Sequence, residues 1–263
     1  MSLPWEERKA VVGMIHVPAL PGTPCHSLSM REIIGQCVRE AEIYQASGVD
    51  ALMIENMHDR PYEKGRAAPE VTAGMTAVAM AVREVFDRPL GLQILAAANQ
   101  EALAVALASG MEFVRVEGFV FAHVADEGYI DSQAAALLRY RKRIGAEEIR
   151  LLTDIKKKHS SHAITGDLDL VECARAAEFF LTDGLIVTGA HTGEEASLEE
   201  VRAVKALSAV PVLVGSGATA VNVEEFLRVG DGVIVGSWVK EEGLWTKPVD
   251  RGRLERFLAA SGR

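Results

Sequence analysis

Charged side chains that could do acid–base chemistry lie at alternate positions in two short apolar runs. Arg115 and Glu117 are two residues apart in the first run, and Asp154 and Lys156 are two residues apart in the second. Side chains two apart share one face of a β-strand, so each pair points to one side of its strand. Because carboxylates and cations in a concave site shift each other's pKa values, we predict that these four residues are catalytic.

Polar residues also end the apolar runs nearer the start of the chain. Alternation places His16 and Glu55 on the inner faces of the first two strands, and Gln93 on the inner face of the third. Catalytic groups of barrel enzymes lie at such C-terminal strand ends. We predict that His16 and Glu55 are catalytic and that Gln93 binds substrate. The alternative is a lattice of structural ion pairs that closes the end of the barrel.

Lys156 is predicted to be the central group of this site. Beside carboxylates, a lysine can act as a general acid, stabilise an enolate, or form a Schiff base if its pKa is lowered. The neighbouring Asp154 favours the protonated amine and weighs against the Schiff base. The same alternation predicts that Lys157 faces the helices and that Lys158 faces the following loop.

Glycine-rich segments follow the last two strand candidates. Glycines there let backbone N–H groups approach an anion, and a helix that starts at Asn222 would add its dipole. This is the recurrent phosphate site of (β/α)8 barrels. The predicted phosphate-binding residues are Gly215, Ser216, Gly217, Gly236 and Ser237. The loop after the sixth strand could close over the ligand, and its predicted substrate-binding residues are Thr188, Gly189 and His191.

Histidines that follow strands leave a metal site open as an alternative. With Glu55 and Asp154, a divalent metal could be bound by His16, His159, His162 or His191. The sequence has no HxH or HExxH pair, so we assign no metal ligands and no cofactor.

Eight repeats of strand and helix are needed to position these residues. The predicted strands are Ala10–His16, Asp50–Glu55, Leu90–Leu95, Glu112–Glu117, Ile149–Lys156, Gly184–Thr188, Val210–Gly215 and Gly232–Gly236. The predicted helices are Ser29–Ala46, Pro69–Phe86, Gln100–Ala108, Ser132–Ile144, Leu168–Leu181, Leu198–Leu207, Val223–Val229 and Arg251–Ala259. This pattern predicts an α/β protein with a single (β/α)8 TIM barrel domain of the phosphate-binding type over residues 1–263, with a doubly wound open sheet as the alternative.

Local signals mark the ends of several predicted helices. Ser29, Ser197 and Asn222 are each followed three residues later by a glutamate, the spacing of a capping box, which predicts that a helix starts at each of them. Glycines placed to end helices in the left-handed conformation are Gly48, Gly110, Gly145 and Gly230.

Composition excludes several classes of partner. The net charge of −9 argues against a surface that binds nucleic acid or anionic lipid, because both require concentrated Lys and Arg. No apolar run is long enough to span a membrane. Three cysteines without CxxC spacing indicate a reducing compartment, and the first residues lack the pattern of a signal peptide, so we expect a cytoplasmic protein.

Four segments together resemble the BtpA family over nearly the whole chain. They are Val12–Gly22 with its MIHVPALPG signature, Thr153–His159, Ile186–Gly193 and Val212–Gly217. The resemblance implies a phosphate-binding barrel and a homo-oligomer, but no particular reaction. Ala96–Asn99 and Glu117–Phe119 stand where many bacterial members have Arg-Asn-Asp-like and Asn-Val-His-like stretches, so the chain looks closer to a branch also found in animals.

The residues and the resemblance together predict an enzyme that acts on a small phosphorylated metabolite, derived from a sugar or a nucleotide. Acid–base chemistry of the isomerase or aldolase/lyase type is favoured. A metal-dependent hydrolase is one alternative. Another is a ligand-binding or assembly factor without turnover, because the family name comes from a cyanobacterial member needed for photosystem I accumulation.

Overall fold

Parallel strands form a closed barrel in the computed structural model, which describes residues 2–189 and 195–263. The strands of the barrel and of a smaller sheet are, in chain order, β1 (Ala10–His16), β2 (Ala51–Glu55), β3 (Leu90–Gln93), β4 (Phe113–Val116), β5 (His123–Ala125), β6 (Gly128–Ile130), β7 (Arg150–Ile155), β8 (Ser160–Ser161), β9 (Gly184–Val187), β10 (Val212–Val214) and β11 (Gly232–Val235). The barrel order is β1-β11-β10-β9-β7-β4-β3-β2. The predicted (β/α)8 class is confirmed, and the open-sheet alternative is wrong because β1 pairs with both β2 and β11.

Helices cover the outside of the barrel. They are α1 (Pro4–Glu7), α2 (Met30–Ser47), α3 (Pro69–Val85), α4 (Asn99–Ser109), α5 (Ala134–Arg143), α6 (Leu170–Phe179), α7 (Leu198–Leu207), α8 (Val223–Val229) and α9 (Arg251–Ala260). Among residues 2–189 and 195–263, none of these helices is both long and apolar enough to cross a membrane. The extent of the domain, residues 1–263, stays a prediction.

Alternation along the strands separates two apolar cores. The barrel interior is filled by side chains that include Met14, Met53, Phe113 and Leu152, as stepping in twos predicts. Trp5 of α1 closes the N-terminal end of the barrel, with its ring 5.0 Å from the ring of Phe113. The outward-facing residues of β4, Val114 and Val116, pack in the second core with the helices. Since the interior is filled with apolar groups, the polar residues are left at the C-terminal mouth.

Two of the three predicted helix caps are present. Ser29 and Glu32 form a reciprocal capping box, and Ser197 accepts a hydrogen bond from the Glu200 amide. The prediction for Asn222 is wrong, because its side chain makes no cap bond to α8 and instead turns back to the preceding loop. Gly230 also departs from prediction, since its φ of −85° is not left-handed.

A small antiparallel sheet over the mouth was not predicted from the sequence. Strands β5 and β6 form a hairpin, and β8 pairs with the other edge of β5. The hairpin follows β4 and the short strand β8 follows β7, so the sheet joins the loops of two neighbouring barrel strands. It brings the turn residue Glu127 to the mouth of the barrel.

Candidate active site

Two adjoining cavities lie at the C-terminal mouth of the barrel. The first, which we call the glycine cavity, has a volume of about 150 Å³ and is bordered by Gly215–Thr219 and Gly236–Trp238. The second, the Gln93 cavity, has a volume of about 270 Å³. The residues that border both are Glu55, Met57, Arg115 and Lys158. The predicted catalytic residues Glu55 and Arg115 therefore stand where the two cavities meet.

Arg115 and Asp154 form a buried bidentate ion pair. Arg115 Nη2 lies 2.9 Å from Asp154 Oδ1 and Arg115 Nε lies 3.0 Å from Asp154 Oδ2, with side chains only 4% and 1% exposed. Burial favours the uncharged guanidine, but the carboxylate of Asp154, together with those of Glu55 and Glu117, raises the pKa of Arg115. Both residues lie in the predicted place, and Asp154 holds Arg115 as a fixed cation at the cavity wall.

Glu117 is held by the protein on both of its carboxylate oxygens. Its Oε2 accepts a hydrogen bond of 2.9 Å from the Ala97 amide, and its Oε1 accepts one of 3.3 Å from Lys157 Nζ. Asn99 donates to the Glu117 carbonyl oxygen. Contact with Glu117 also raises the pKa of Lys157, against the opposing effect of burial. Glu117 therefore lies at the mouth, as predicted, but its carboxylate already has two donors.

The orientation predicted for the lysines after β7 is wrong. The strand ends at Ile155, and Lys156 adopts a left-handed conformation with φ of +47°, which breaks the alternation. Lys156 Nζ turns out of the mouth and donates to the Leu168 carbonyl. Lys157 turns inward to Glu117 instead, and Lys158 borders both cavities. Lys158 therefore takes the place that alternation assigned to Lys156.

Glu55 and Lys158 are the pair of titratable groups best placed to exchange protons with a ligand. Within residues 2–189 and 195–263, no hydrogen bond to the Glu55 carboxylate is formed, although Glu55 is buried. Burial raises the pKa of Glu55, in opposition to Arg115 and Lys158. Burial and the nearby Arg115 lower the pKa of Lys158. Both pKa shifts are in the direction of neutral pH, and a proton carrier is most effective when its pKa lies near the working pH.

His16 is fixed in its place by a tryptophan from the opposite end of the chain. Its Nδ1 lies 3.0 Å from the Trp245 carbonyl oxygen, and its Nε2 lies 4.0 Å from Glu55 Oε2. Burial, followed by the charge of Lys240, lowers the pKa of His16 well below its usual value. The neutral imidazole would donate through Nδ1 and turn Nε2, an acceptor, toward Glu55.

The glycine cavity has the features expected of a phosphate site. Gly217 has φ of +71°, and Asn222 braces the loop by accepting from the Thr219 amide and donating to the Gly217 carbonyl. A Cβ at Gly215 would lie 2.4 Å from Ile186 Cγ2, and one at Gly236 would lie 3.2 Å from His16 Nε2. Glycine is therefore needed at 215 for packing, and a side chain at 236 would press against the ring of His16.

The predicted substrate-binding residues fall in different places. Gln93 borders the Gln93 cavity, and its Oε1 accepts no hydrogen bond within the part of the chain described. Thr188 and Gly189 border another groove beside β9, and the Gly189 amide donates to Ser216 Oγ at 2.8 Å. His191 lies outside the described residues. Ser216 therefore links the loops after β9 and β10 with its hydroxyl, in addition to bordering the glycine cavity.

Trp245 and Lys158 are site residues that the sequence analysis missed. Trp245 borders the Gln93 cavity; the Arg60 guanidinium lies 4.9 Å from its ring centre, and the His58 ring lies 4.7 Å away. It belongs to the irregular segment between β11 and α9, which has no periodicity that could place it. No group of three or more His, Cys, Asp and Glu side chains among residues 2–189 and 195–263 could hold a metal ion.

Comparison with known proteins agrees with this architecture. An uncharacterized mitochondrial protein of Caenorhabditis elegans is 49% identical over 256 residues, covering 95% of this chain and 92% of the relative. The photosystem I biogenesis protein BtpA of Synechocystis is 30% identical over 257 residues, covering 97% and 89%. The 49% identity of the worm protein agrees with the predicted similarity to an animal branch.

Solved structures of low sequence identity share the barrel fold. Orotidine 5′-monophosphate decarboxylase of Methanocaldococcus jannaschii superposes with a TM-score of 0.62 at 13% identity, covering 98% of this chain and 100% of the enzyme. Thiamine phosphate pyrophosphorylase of Pyrococcus furiosus gives a TM-score of 0.59 at 17% identity, covering 98% and 97%. The BtpA family model matches residues 7–263. The chain therefore belongs to the BtpA family.

Proposed function

We propose that this chain is an enzyme that acts on a small phosphorylated metabolite, derived from a sugar or a nucleotide, by acid–base chemistry. The observation that carries the proposal is the junction of the two cavities. There, the buried carboxyl of Glu55, which no other described residue hydrogen-bonds, borders the same cavity as Lys158, Arg115 and the two glycine-rich loops. A ligand whose phosphate occupies the glycine cavity would place its neighbouring carbons at Glu55.

The division of roles follows from which groups already have partners. Asp154 and Glu117, which are predicted acid–base groups, are engaged by Arg115 and by Lys157. They therefore act in this proposal as positioning residues. Glu55 would carry the proton, while Arg115 and Lys158 would stabilise negative charge that develops on the substrate. Removal of a proton next to a carbonyl and its return to another atom is the chemistry of isomerases. In an aldolase-type lyase the base takes a hydroxyl proton, the C–C bond breaks to give an aldehyde and an enolate, and the acid protonates the enolate.

The comparisons support the phosphate part of the proposal. Both structurally similar enzymes named above have a phosphate-bearing compound in their names, and barrels of this kind bind phosphate at the loops after the last two barrel strands. In this chain those loops are the ones that border the glycine cavity. The metal-dependent hydrolase is the weaker alternative, because the described residues offer no ligand set.

A non-catalytic assembly factor is the alternative from another class. The Synechocystis relative is named for photosystem I biogenesis. An assembly factor would need no proton carrier, so a buried Glu55 without a hydrogen bond would only destabilise it.

The cytoplasmic location, the homo-oligomer and the absence of a nucleic-acid partner are also proposals, to be tested by fractionation, sedimentation and gel-shift assays.

A negative charge placed in the glycine cavity should weaken phosphate binding. Ser237 borders this cavity and is half-buried, so Ser237→Asp adds a negative charge that repels an anion there. Calorimetric titration with inorganic phosphate should show at least about tenfold weaker binding than the wild type. Ala206→Asp, on the exposed side of α7, makes the same change of net charge away from the mouth and should bind normally. Equal phosphate affinity in all three proteins would refute the phosphate site.

The two lysines after β7 should differ in their effect on the ligand. Lys158→Met removes a cation that borders both cavities, and we expect phosphate affinity to fall by about tenfold. Lys156→Met removes a cation that is bonded to the Leu168 carbonyl and should leave phosphate affinity within about twofold. Titration of both variants measures this difference. The reverse order of effects would restore the role that the sequence predicts for Lys156.

A further inference from the structure

The Gln93 cavity presents buried polar atoms that no described residue hydrogen-bonds. Gln93 is only 2% exposed, yet its Oε1 accepts no hydrogen bond within the described chain. Glu127 Oε2 is likewise buried and accepts none, although Lys157 Nζ lies 3.8 Å away. Glu55, which borders both cavities, is a third acceptor. A buried acceptor without a donor costs free energy, so a donor supplied by a ligand would be favoured.

The two sides of this cavity differ in polarity. Gln93, Glu55 and Glu127 supply acceptors, whereas Trp245, Leu95 and Met57 supply apolar surface. The cations that also border the cavity are Arg60, Arg115, Lys157 and Lys158. A polyhydroxylated carbon chain matches both, because its hydroxyl groups donate hydrogen bonds while its C–H groups pack on apolar side chains. A second phosphate or a carboxylate would bring further acceptors toward side chains that are themselves acceptors. Two of the cations at this cavity, Arg115 and Lys157, are already paired with Asp154 and Glu117.

The sizes of the cavities indicate that one ligand occupies both. Small-molecule sites usually have volumes of about 300–1,000 Å³. The glycine cavity and the Gln93 cavity, at about 150 and 270 Å³, each fall below that range, but they share four bordering residues. A ligand with its phosphate in the first cavity would therefore extend past Glu55 into the second.

We propose that the Gln93 cavity binds the hydroxyl-bearing end of a sugar phosphate, and that Gln93 and Glu127 determine this specificity. The proposal rests on the phosphate site proposed above. It also gives a function to the small sheet over the mouth, because the β5–β6 turn supplies Glu127. The reacting carbons would lie at the junction of the cavities, next to Glu55 and Lys158.

Calorimetric titration with a series of probes tests this inference. The probes are inorganic phosphate, D-ribose 5-phosphate, phosphoglycolate and uridine 5′-monophosphate. We expect the wild type to bind ribose 5-phosphate at least about tenfold more tightly than inorganic phosphate, because each satisfied acceptor contributes about that factor. Phosphoglycolate, with a second acidic end, should show no such gain.

Substitutions test whether the tighter binding of ribose 5-phosphate comes from the Gln93 cavity. Gln93→Leu and, separately, Glu127→Gln should reduce the advantage of ribose 5-phosphate to about threefold or less, while inorganic phosphate binds as in the wild type. Gln36→Leu makes the same change from amide to alkyl at an exposed position outside this cavity and should keep the full gain. The Glu127→Gln variant also guards against the chance that Gln93→Leu fails to fold.

The outcomes separate this inference from the phosphate site. If inorganic phosphate binds but ribose 5-phosphate binds no more tightly, the sugar specificity is wrong and the phosphate site stands. If phosphoglycolate or uridine 5′-monophosphate gains more affinity over inorganic phosphate than ribose 5-phosphate does, the cavity binds an acidic group or a nucleobase and not a hydroxylated chain, and the inference is wrong. If neither inorganic phosphate nor any of the phosphate esters binds, the proposed function itself fails.

Discussion

Asp154→Ala should destabilise the fold by about 3–5 kcal/mol, because it leaves the buried guanidinium of Arg115 without its counter-charge. Arg115 has both Nε and Nη2 on this carboxylate, and the side chains of Arg115 and Asp154 are only 4% and 1% exposed. Glu55 and Glu117 act on Arg115 through space, by their charge, and do not replace the bidentate contact. Urea denaturation, monitored by circular dichroism, measures the loss in the free energy of unfolding.

An exposed ion pair and a double variant are the controls for this prediction. Arg228 and Glu224 form a pair of 3.1 Å on α8, with side chains 67% and 77% exposed. Glu224→Ala should therefore cost less than about 1 kcal/mol. Arg115→Met combined with Asp154→Leu removes both charges and should recover much of the stability that Asp154→Ala loses. If Asp154→Ala costs no more than Glu224→Ala, the ion pair does not hold the mouth together.

The barrel and most of the charged mouth follow from local sequence patterns. Alternation correctly places Phe113 in the interior and Val114 outside, and it brings Arg115 and Asp154 together although they are 39 residues apart. This works because one face of each barrel strand packs in the interior and the other against the helices, and only the inner face leads to the polar C-terminal mouth. A residue at the end of such a strand inherits its direction from the residues before it.

The lysines after β7 show where this reasoning stops. Alternation holds only while the backbone stays extended, and Lys156 leaves the extended region with a positive φ. Lysine carries no sign of this conformation, whereas a glycine at 156 would have suggested it. Each of the three lysines therefore points in a direction that was not predicted, and the cation at the cavities is Lys158.

Contacts between distant loops were also out of reach of sequence patterns. Trp245 meets His16 across 229 residues of chain, and Glu127 reaches Lys157 from a hairpin that has no apolar alternation of its own. Such contacts depend on how the barrel closes, since β1 lies beside β11 only in the closed ring. The residues that contact substrate in a barrel enzyme come mostly from these loops. Sequence patterns therefore predict the catalytic groups at the strand ends better than the loop residues that determine substrate specificity.

Glu55→Gln should reduce turnover by about 10²–10⁴-fold, the usual contribution of a general acid or base, while phosphate binding stays within about threefold. Glutamine has nearly the same shape but cannot take up or release a proton in this way. The assay uses the phosphorylated compound that binds most tightly in the titrations. Glu84→Gln, an exposed residue of α3, is the matched control and should turn over normally. Full turnover by the Glu55→Gln variant would mean that another residue transfers the proton.

The same variant should become more stable than the wild type as the pH rises. Burial raises the pKa of Glu55 in the folded chain above the value of about 4.3 that it has when unfolded. The folded state therefore holds this proton more tightly, and the stability that Glu55 contributes below pH of about 4.3 is lost as the pH rises through its folded pKa. The Glu55→Gln variant carries no such loss, so the difference in unfolding free energy should grow in favour of the variant between acidic and neutral pH in urea denaturation. A variant less stable than the wild type at neutral pH would mean that ionised Glu55 is held favourably by Arg115 and Lys158. A more stable but inactive variant would show that the carboxyl is kept for chemistry at the expense of the fold.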